Sequence, residues 1–273
     1  GKGAKKGLGV SVNTSMVIDH PYNFFETQTD YGVGVRSTVY VPGGGYDWGP
    51  RLDGSFNITR WNMLTQANEE VPFLATKENR LQQYMQNGAT NNYNVSVTGN
   101  YDKGSFRFSV GKMYNRGIMP NNSTDRMTFN LNASYNIAKK VKLSVSSNYV
   151  SQYSPNKSSA NNDVVELLTF SFLSHFQPVK EMQNIWLKGY EGIRQNAPAY
   201  KANGEPYGDN PYMFTYGEIN TYRKDNFFGK AELEWQLTEP LKLLLRSGMD
   251  YNGDNYEYKL SKGFTDVKKR DGR

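Results

Sequence analysis

Residues able to do acid–base or metal chemistry are few and poorly spaced. The chain holds two histidines, His20 and His175, and neither stands in an H-x-x-x-H or H-E-x-x-H context that would build a zinc site on a helix. It holds no cysteine, which excludes a thiolate nucleophile, a cysteine–zinc centre, an iron–sulfur cluster and a disulfide framework. Two carboxylate pairs can be nominated for general acid–base work, Asp47 with Asp53 and Glu232 with Glu234. The second pair would share one strand face, where a polar ladder explains it equally well. Tyr31-Gly32-Val33-Gly34 carries a G-x-G but lacks the third glycine and the strand–helix context of a nucleotide loop, and no P-loop or G-x-S-x-G occurs. The expectation is a protein that is not an enzyme and needs no metal and no cofactor.

Aromatic residues offer a different chemistry. Tyr46, Trp48, Trp61, Trp186, Tyr190, Tyr200, Tyr207, Tyr212 and Tyr216 crowd into stretches rich in Gly, Pro and Asn. Flat apolar rings beside Asn and Asp side chains suit sugars or extended peptides. The candidate ligand-binding set is Asp47, Trp48, Asp53, Trp61, Trp186, Tyr207 and Tyr212; packing of the same rings against one another is the plainer alternative.

The elements that would position these rings read as long strands. Apolar and small polar residues alternate over 8–18, 92–101, 106–111, 127–137, 141–149, 227–237 and 241–251. Seven strands of roughly ten residues exceed the usual globular length of about 5–6 and match the ~9–11 that cross a hydrocarbon layer at a tilt. The polar face is mostly Asn, Ser, Thr and Gly, which suits a wet lumen, and Tyr and Trp sit near strand ends, as in interfacial girdles. The short links 102–104, 138–140 and 238–240 alternate with long connections over about 19–91, 113–125 and 152–224. That sorting puts every tight turn at one end and every long loop at the other, the pattern of periplasmic turns and extracellular loops. Helix-like spacing occurs inside the loops at 78–86 and 161–176. The strand-like stretch 31–40 belongs, by parity, to the first long loop.

Composition agrees. The 273 residues contain 32 Lys and Arg against 26 Asp and Glu, a net charge of +6 that is scattered apart from clusters at 2–6 and 268–273, so no nucleic-acid partner is expected. Mean hydropathy is −0.73 and no run of about 18 apolar residues exists, a test that excludes membrane helices and leaves membrane barrels open. The chain starts at Gly1 with no charged segment followed by an apolar one, so either a processed start or a piece of a longer chain is expected. With seven strands too few to close such a wall, the expectation is a piece of something longer.

The residues resemble a known family. Residues 5–13, Lys-Lys-Gly-Leu-Gly-Val-Ser-Val-Asn, look like the junction between plug and first barrel strand in SusC/RagA-type TonB-dependent transporters of the Bacteroidota outer membrane. Tyr31-Gly32-Val33-Gly34 resembles the family's Y-G-x-G. Asp47-Trp48-Gly49-Pro50 before Leu52-Asp53-Gly54 resembles its S-W-G-P…x-D-G, with Asp47 in place of the usual Ser. Phe106-Arg107-Phe108-Ser109, Asn115 to Asn121, Arg126 to Leu131, and Asn210-Pro211-Tyr212 continue the likeness in order along the chain. The resemblance implies an all-β fold: a partial transmembrane antiparallel β-barrel, seven long strands of a plugged barrel of roughly 22, with long extracellular loops containing short helices. Residues 1–273 would be the N-terminal portion of the barrel, without the plug and the C-terminal strands. It further implies an outer-membrane importer of oligosaccharides or peptides. Its partners would be a SusD-like surface lipoprotein, outer-membrane lipid, and TonB through an N-terminal region absent here. Two alternatives stay open: a soluble secreted all-β carbohydrate-binding module, and an outer-membrane adhesin or porin without a plug.

Overall fold

All seven alternating segments become strands of one antiparallel sheet. The computed structural model describes residues 6–22, 24, 26–36, 38–42, 47–76, 79–157, 175–201 and 203–265. In chain order the strands are β1 (Gly7–Asp19), β2 (Gly34–Val35), β3 (Val39–Tyr40), β4 (Asp53–Asn62), β5 (Ala67–Leu74), β6 (Gly88–Tyr101), β7 (Gly104–Arg116), β8 (Ser123–Ala138), β9 (Val141–Asn156), β10 (Glu218–Gln236) and β11 (Lys242–Leu260). The large sheet has the order β1-β6-β7-β8-β9-β10-β11; β2 pairs with β3 and β4 with β5 as separate hairpins. The architecture is all-β, an open barrel wall of seven strands.

Register shows why the alternation matters. Val12, Val95, Val110, Phe129, Tyr149, Phe227 and Tyr251 are paired neighbours along one rung, and Val10, Val97, Phe108, Leu131, Ser147, Gly229 and Met249 along another. Paired residues point to the same side of a pleated sheet, so both rungs build one apolar face. The rung Ser11, Ser96, Ser109, Asn130, Asn148, Phe228 and Asp250 lies on the opposite face.

Exposure on the two faces is inverted relative to a water-soluble sheet. Val95 is 45% and Phe108 42% exposed, whereas their chain neighbours Ser96 and Ser109 are 3% and 5% exposed. The polar face is the concave one. It encloses a groove of about 660 Å³ lined by Asn94, Arg107, Ser109, Asn130, Asn132 and Ser134.

The conventional core sits elsewhere, in the loops. Met63, Leu81, Tyr84, Val179, Met182 and Tyr212 form one buried cluster, and Leu52, Ile58 and Phe73 a second. None of these residues belongs to the large sheet. Among the described residues, helical structure is confined to short pieces that serve this loop body. Residues 78–86, expected to be helical, give α1 (Arg80–Tyr84), where the Asn79 side chain accepts a hydrogen bond from the Gln82 amide at 3.1 Å. A 3₁₀ turn (Val179–Gln183) and a single helical turn (Met213–Tyr216) follow. The helix expected over 161–176 lies outside the described residues except for His175 and Phe176, and the two basic clusters lie outside them apart from Lys6.

The structure differs from the sequence reading in two respects. Strands β6 to β11 run further at the loop end than their alternation indicates: β7 continues to Arg116 rather than 111, β9 to Asn156 rather than 149, and β10 begins at Glu218 rather than 227. There both faces meet water or loops, so the polarity pattern fades while backbone pairing continues. The β4–β5 hairpin was hidden inside the first long loop. Its turn uses neither Gly nor Pro: the Asn62 side chain accepts from the amides of Leu64 and Thr65 (2.9 and 3.1 Å), and Gln66 takes a positive φ of 55°. The stretch 31–40 is loop, as parity requires, with only the two-residue strands β2 and β3.

Two sequence motifs prove to be one object. Gly32 donates to the Pro50 carbonyl (3.0 Å), Gly49 to Gly32 (2.9 Å) and Leu52 to Asp30 (2.8 Å), which binds the Y-G-V-G stretch to D-W-G-P. Gly34 has φ 149°, and a Cβ there would come within 2.0 Å of the Val39 carbonyl oxygen. Gly34→Ala is expected to open this bracket by at least ~1.4 kcal/mol, about tenfold in its opening equilibrium. Amide exchange at Gly32, Gly49 and Leu52 should accelerate accordingly while the amides of the large sheet keep their rates.

Candidate functional site

The loop body contains a two-chambered cleft. One chamber, about 480 Å³, is walled by Tyr40, Thr59, Arg60, Trp61, Phe176 and Tyr200 among others. The second, about 500 Å³, is walled by Arg194, Tyr200, Tyr207, Lys262 and Phe264. Leu187, Tyr200, Lys201 and Gly204 border both, so the chambers adjoin. Apolar rings with a few polar groups are the usual make-up of a small-ligand cleft.

A buried ion-pair cluster fixes the first wall. Arg60 on β4 donates from Nη1 and Nη2 to the two carboxylate oxygens of Glu181, both at 2.8 Å, and its Nη2 lies 2.5 Å from Glu69 Oε1 on β5. Burial alone would lower the Arg60 pKa, but the hydrogen bonds and charges of Glu181 and Glu69 outweigh it and the net shift is upward. The pairing ties the β4–β5 hairpin to the 3₁₀ turn across 121 residues of chain.

Buried amides make the remaining joints. Asn196 Nδ2 donates to the carbonyls of Met63 (2.8 Å) and Asn184 (2.9 Å), and its Oδ1 accepts from Trp61 Nε1 at 2.8 Å. Asn210 Nδ2 donates to Met182 and Asn196 carbonyls (2.8 and 3.0 Å), while its Oδ1 accepts from the Tyr212 amide at 2.9 Å. Gln195 Nε2 reaches Asp209 and the Gly263 carbonyl, and its Oε1 accepts from the Asn210 amide. Each amide uses both its donor and its acceptor end, so this body has a set geometry rather than a generic apolar collapse.

The seven residues nominated from sequence are dispersed. Trp61 walls the first chamber and Tyr207 the second. Trp61 also packs edge-on against Tyr200, with ring centroids 5.3 Å apart. Tyr212 is buried in the larger core cluster with its hydroxyl near Gln183 Nε2. Trp186 stands against Gly263, where a Cβ would meet its ring at 2.7 Å. Asp53 caps its own turn by accepting from the Ser55 amide at 3.0 Å, and hydrogen bonding from Ser55 lowers its pKa. Trp48 is 72% exposed and lines neither chamber. Asp47 Oδ2 lies 3.3 Å from Nε2 of the buried His175, and its Oδ1 is buried without a hydrogen-bond partner among the described residues.

Other groups were not legible from the sequence. Arg80, only 4% exposed, has no hydrogen-bond partner for its guanidinium among the described residues; burial pushes its pKa down to about 10, with the charge of Asp47 acting in the opposite direction. The carboxylates proposed as acid–base pairs are engaged elsewhere. Glu232 pairs with Arg246 (2.8 Å) and Lys230 (3.5 Å), and Glu234 with Lys242 (2.6 Å) and Lys142 (3.7 Å). His20 Nδ1 shares a hydrogen bond with Asn87 Oδ1 at 2.7 Å. Among the described residues no group of three or more His, Asp or Glu could hold a metal ion. The cleft has the walls to hold a ligand, and among the described residues no nucleophile stands beside a base.

Neither a protein-family model nor a curated protein matches the sequence. A solved structure, "Structure of the RagAB peptide importer in the 'closed-closed' state", shares the fold with a TM-score of 0.58 at 11% identity, over 97% of this chain and 30% of that one. The likeness is one of fold, and this chain spans less than a third of the length of the chain it matches.

Two outcomes follow from the cleft. Arg60→Met leaves two carboxylates facing each other without their cation and is expected to cost about 3–5 kcal/mol of loop-body stability. Hydrogen exchange across β4, β5 and the 3₁₀ turn measures this, and Arg60→Lys, which keeps the charge but not the fork, should fall between. Burial first, and Tyr207 second, push the Tyr40 pKa up from 10.0 to about 12. With the folded value above the unfolded one, this contribution to stability is complete below pH ~10 and is lost as pH rises through about 12. Phenolate absorbance should therefore show a late-titrating component that Tyr40→Phe removes.

Proposed function

We propose that the chain is the N-terminal portion of the barrel of an outer-membrane TonB-dependent transporter of the SusC/RagA kind, together with its extracellular loops. The observation that carries this reading is the inversion of the sheet: its apolar residues form one exposed face across seven strands, and its amides and hydroxyls line the concave side. A wall of this kind is stable where lipid meets the outside and water the inside. The fold likeness to the RagAB importer and the family-like motifs support it. Residues 1–273 would form the first seven strands of a plugged barrel of roughly 22. The plug, the TonB-contacting segment and the remaining wall would lie in other parts of a longer protein.

On this reading the short turns face the periplasm and the loop body forms part of the external vestibule, where a SusD-like lipoprotein would sit. The substrate is an oligosaccharide or a peptide. Aromatic walls at Trp61, Tyr200 and Tyr207 suit a sugar, and the fold neighbour is a peptide importer. Of the nominated residues, Trp61 and Tyr207, which wall the cleft, are the proposed ligand-facing pair. The soluble carbohydrate-binding module is the weaker reading, since among the described residues no second layer covers the apolar face.

Adjacent residues on β8 test the assignment. Leu131→Arg places a cation on the lipid side and is expected to destabilise the full-length protein in the outer membrane by roughly 2–4 kcal/mol if it lies near the midplane. Asn132→Arg, on the lumen side, should stay within about 0.5 kcal/mol. Equal effects of the two substitutions, or recovery of the wild-type protein from the aqueous phase without detergent, would falsify the membrane reading.

A further inference from the structure

The polar face changes character at the end that carries the tight turns. On β6 to β9 it presents mostly Ser, Thr and Asn with Arg107, and on β10 and β11 Glu232 is balanced by Lys230 and Arg246; at the β8–β9 and β10–β11 turns cations outnumber carboxylates. A recess of about 160 Å³ opens there, lined by Lys139, Lys140, Lys142 and Lys242, with Glu234 as its one carboxylate. Glu234 lies within ion-pair distance of Lys142 (3.7 Å) and Lys242 (2.6 Å). Lys139 and Lys140 have no ion-pair partner among the described residues. Four ammonium groups against one carboxylate leave three positive charges around a single recess.

Its frame is rigid. Gln236 donates its amide to the Lys140 carbonyl at 2.8 Å, and its Nε2 to the carbonyls of Thr238 (2.8 Å) and Glu239 (3.2 Å). The two turns are thereby held side by side. Register decides which surroundings the recess meets. Lys142, Glu234 and Lys242 alternate with Leu143, Trp235 and Leu243, so they stand on the polar, concave side. Lipid headgroups would gather around the other face. Volume narrows the occupant further: at ~30 Å³ per water in the liquid, the recess holds about five waters, which is room for one or two carboxylate side chains and not for an oligosaccharide.

We propose that this recess docks an acidic polypeptide segment, carrying at least two Asp or Glu side chains, that enters the mouth of the barrel from the side of the short turns. Lysines without a salt-bridge partner, on two turns tied together by hydrogen bonds, recognise carboxylates by charge with little reorganisation. The inference rests on the transporter reading, because that reading puts the concave face inside a barrel.

Site-specific photo-cross-linking from Ala138, which lines the recess without being one of its lysines, tests the proposal in the full-length protein in its native outer membrane. The expected product, identified by mass spectrometry, is a link to a segment with two or more acidic residues close together. The double variant K139E/K140E should reduce its yield about fivefold or more, K139Q/K140Q by less, and K103E on the neighbouring turn should leave it unchanged. Links confined to phospholipid, links to segments with no acidic cluster, an absence of links, or a yield unaffected by K139E/K140E would overturn it. Heat-modifiable gel migration reports barrel assembly for every variant, and the milder glutamine pair keeps the test decisive if the glutamate pair fails to assemble. Loss of the wild-type protein from the outer-membrane fraction would sink the transporter reading itself, whereas an assembled barrel without an acidic cross-link sinks only the docking inference.

Discussion

Backbone pairing between neighbouring strands is the interaction on which everything else in this chain depends. Each interior strand of the large sheet satisfies its N–H and C=O groups on both sides, from β6 through β10. That leaves the side chains free to face any solvent. In water the apolar face would need a second layer; next to hydrocarbon it needs none. Sheet chemistry therefore does not require the buried core that a soluble β-protein builds between layers. The exposed Val, Leu, Phe and Tyr rows are the consequence. They read as a liability only if water is assumed outside.

The loop body obeys the opposite rule, and the contrast within one chain is informative. Here Met63, Phe73, Tyr84, Met182 and Met213 are fully buried, and Asn196 and Asn210 are buried with them, each fully hydrogen-bonded. These loops are folded as a soluble protein folds, with apolar clusters and satisfied polar joints. A long connection with such order is the kind that carries function, because a cleft needs walls that hold their shape. Arg80 and Asp47 Oδ1 depart from this rule. Both are buried without a hydrogen bond among the described residues, and the charge of Asp47 acts on the Arg80 guanidinium.

The likeness to a much longer importer chain fits this division. A seven-stranded wall with open edges at β1 and β11 is not a closed object among the described residues, and both edges offer unpaired backbone to further strands. On the proposed transporter reading those edges would be continued by further strands, and the ordered loops, the polar groove and the lysine recess would each face a compartment that the continued wall defines.

Local periodicity was enough to specify the sheet. Alternation at Val10 and Val12, at Phe129 and Leu131, or at Leu233 and Trp235 repeats every two residues because that is the pleat, so strand existence, the apolar face and the tight turns could be read from neighbours in sequence. Strand ends at the loop side could not, since pairing there continues after the polarity pattern has faded. The β4–β5 hairpin escaped because its turn depends on the Asn62 side chain and a positive φ at Gln66, not on a glycine signal. The candidate site was legible only in part. Trp61 and Tyr207 could be nominated as loop aromatics, but nothing local separates them from Trp186 and Tyr212, which pack. Arg60 with Glu181, Asn196 with Met63 and the adjoining walls of the cleft join residues more than a hundred positions apart. Only tertiary structure decided those partnerships, because charge pairing and amide satisfaction depend on distance in space, and a sequence records only distance along the chain.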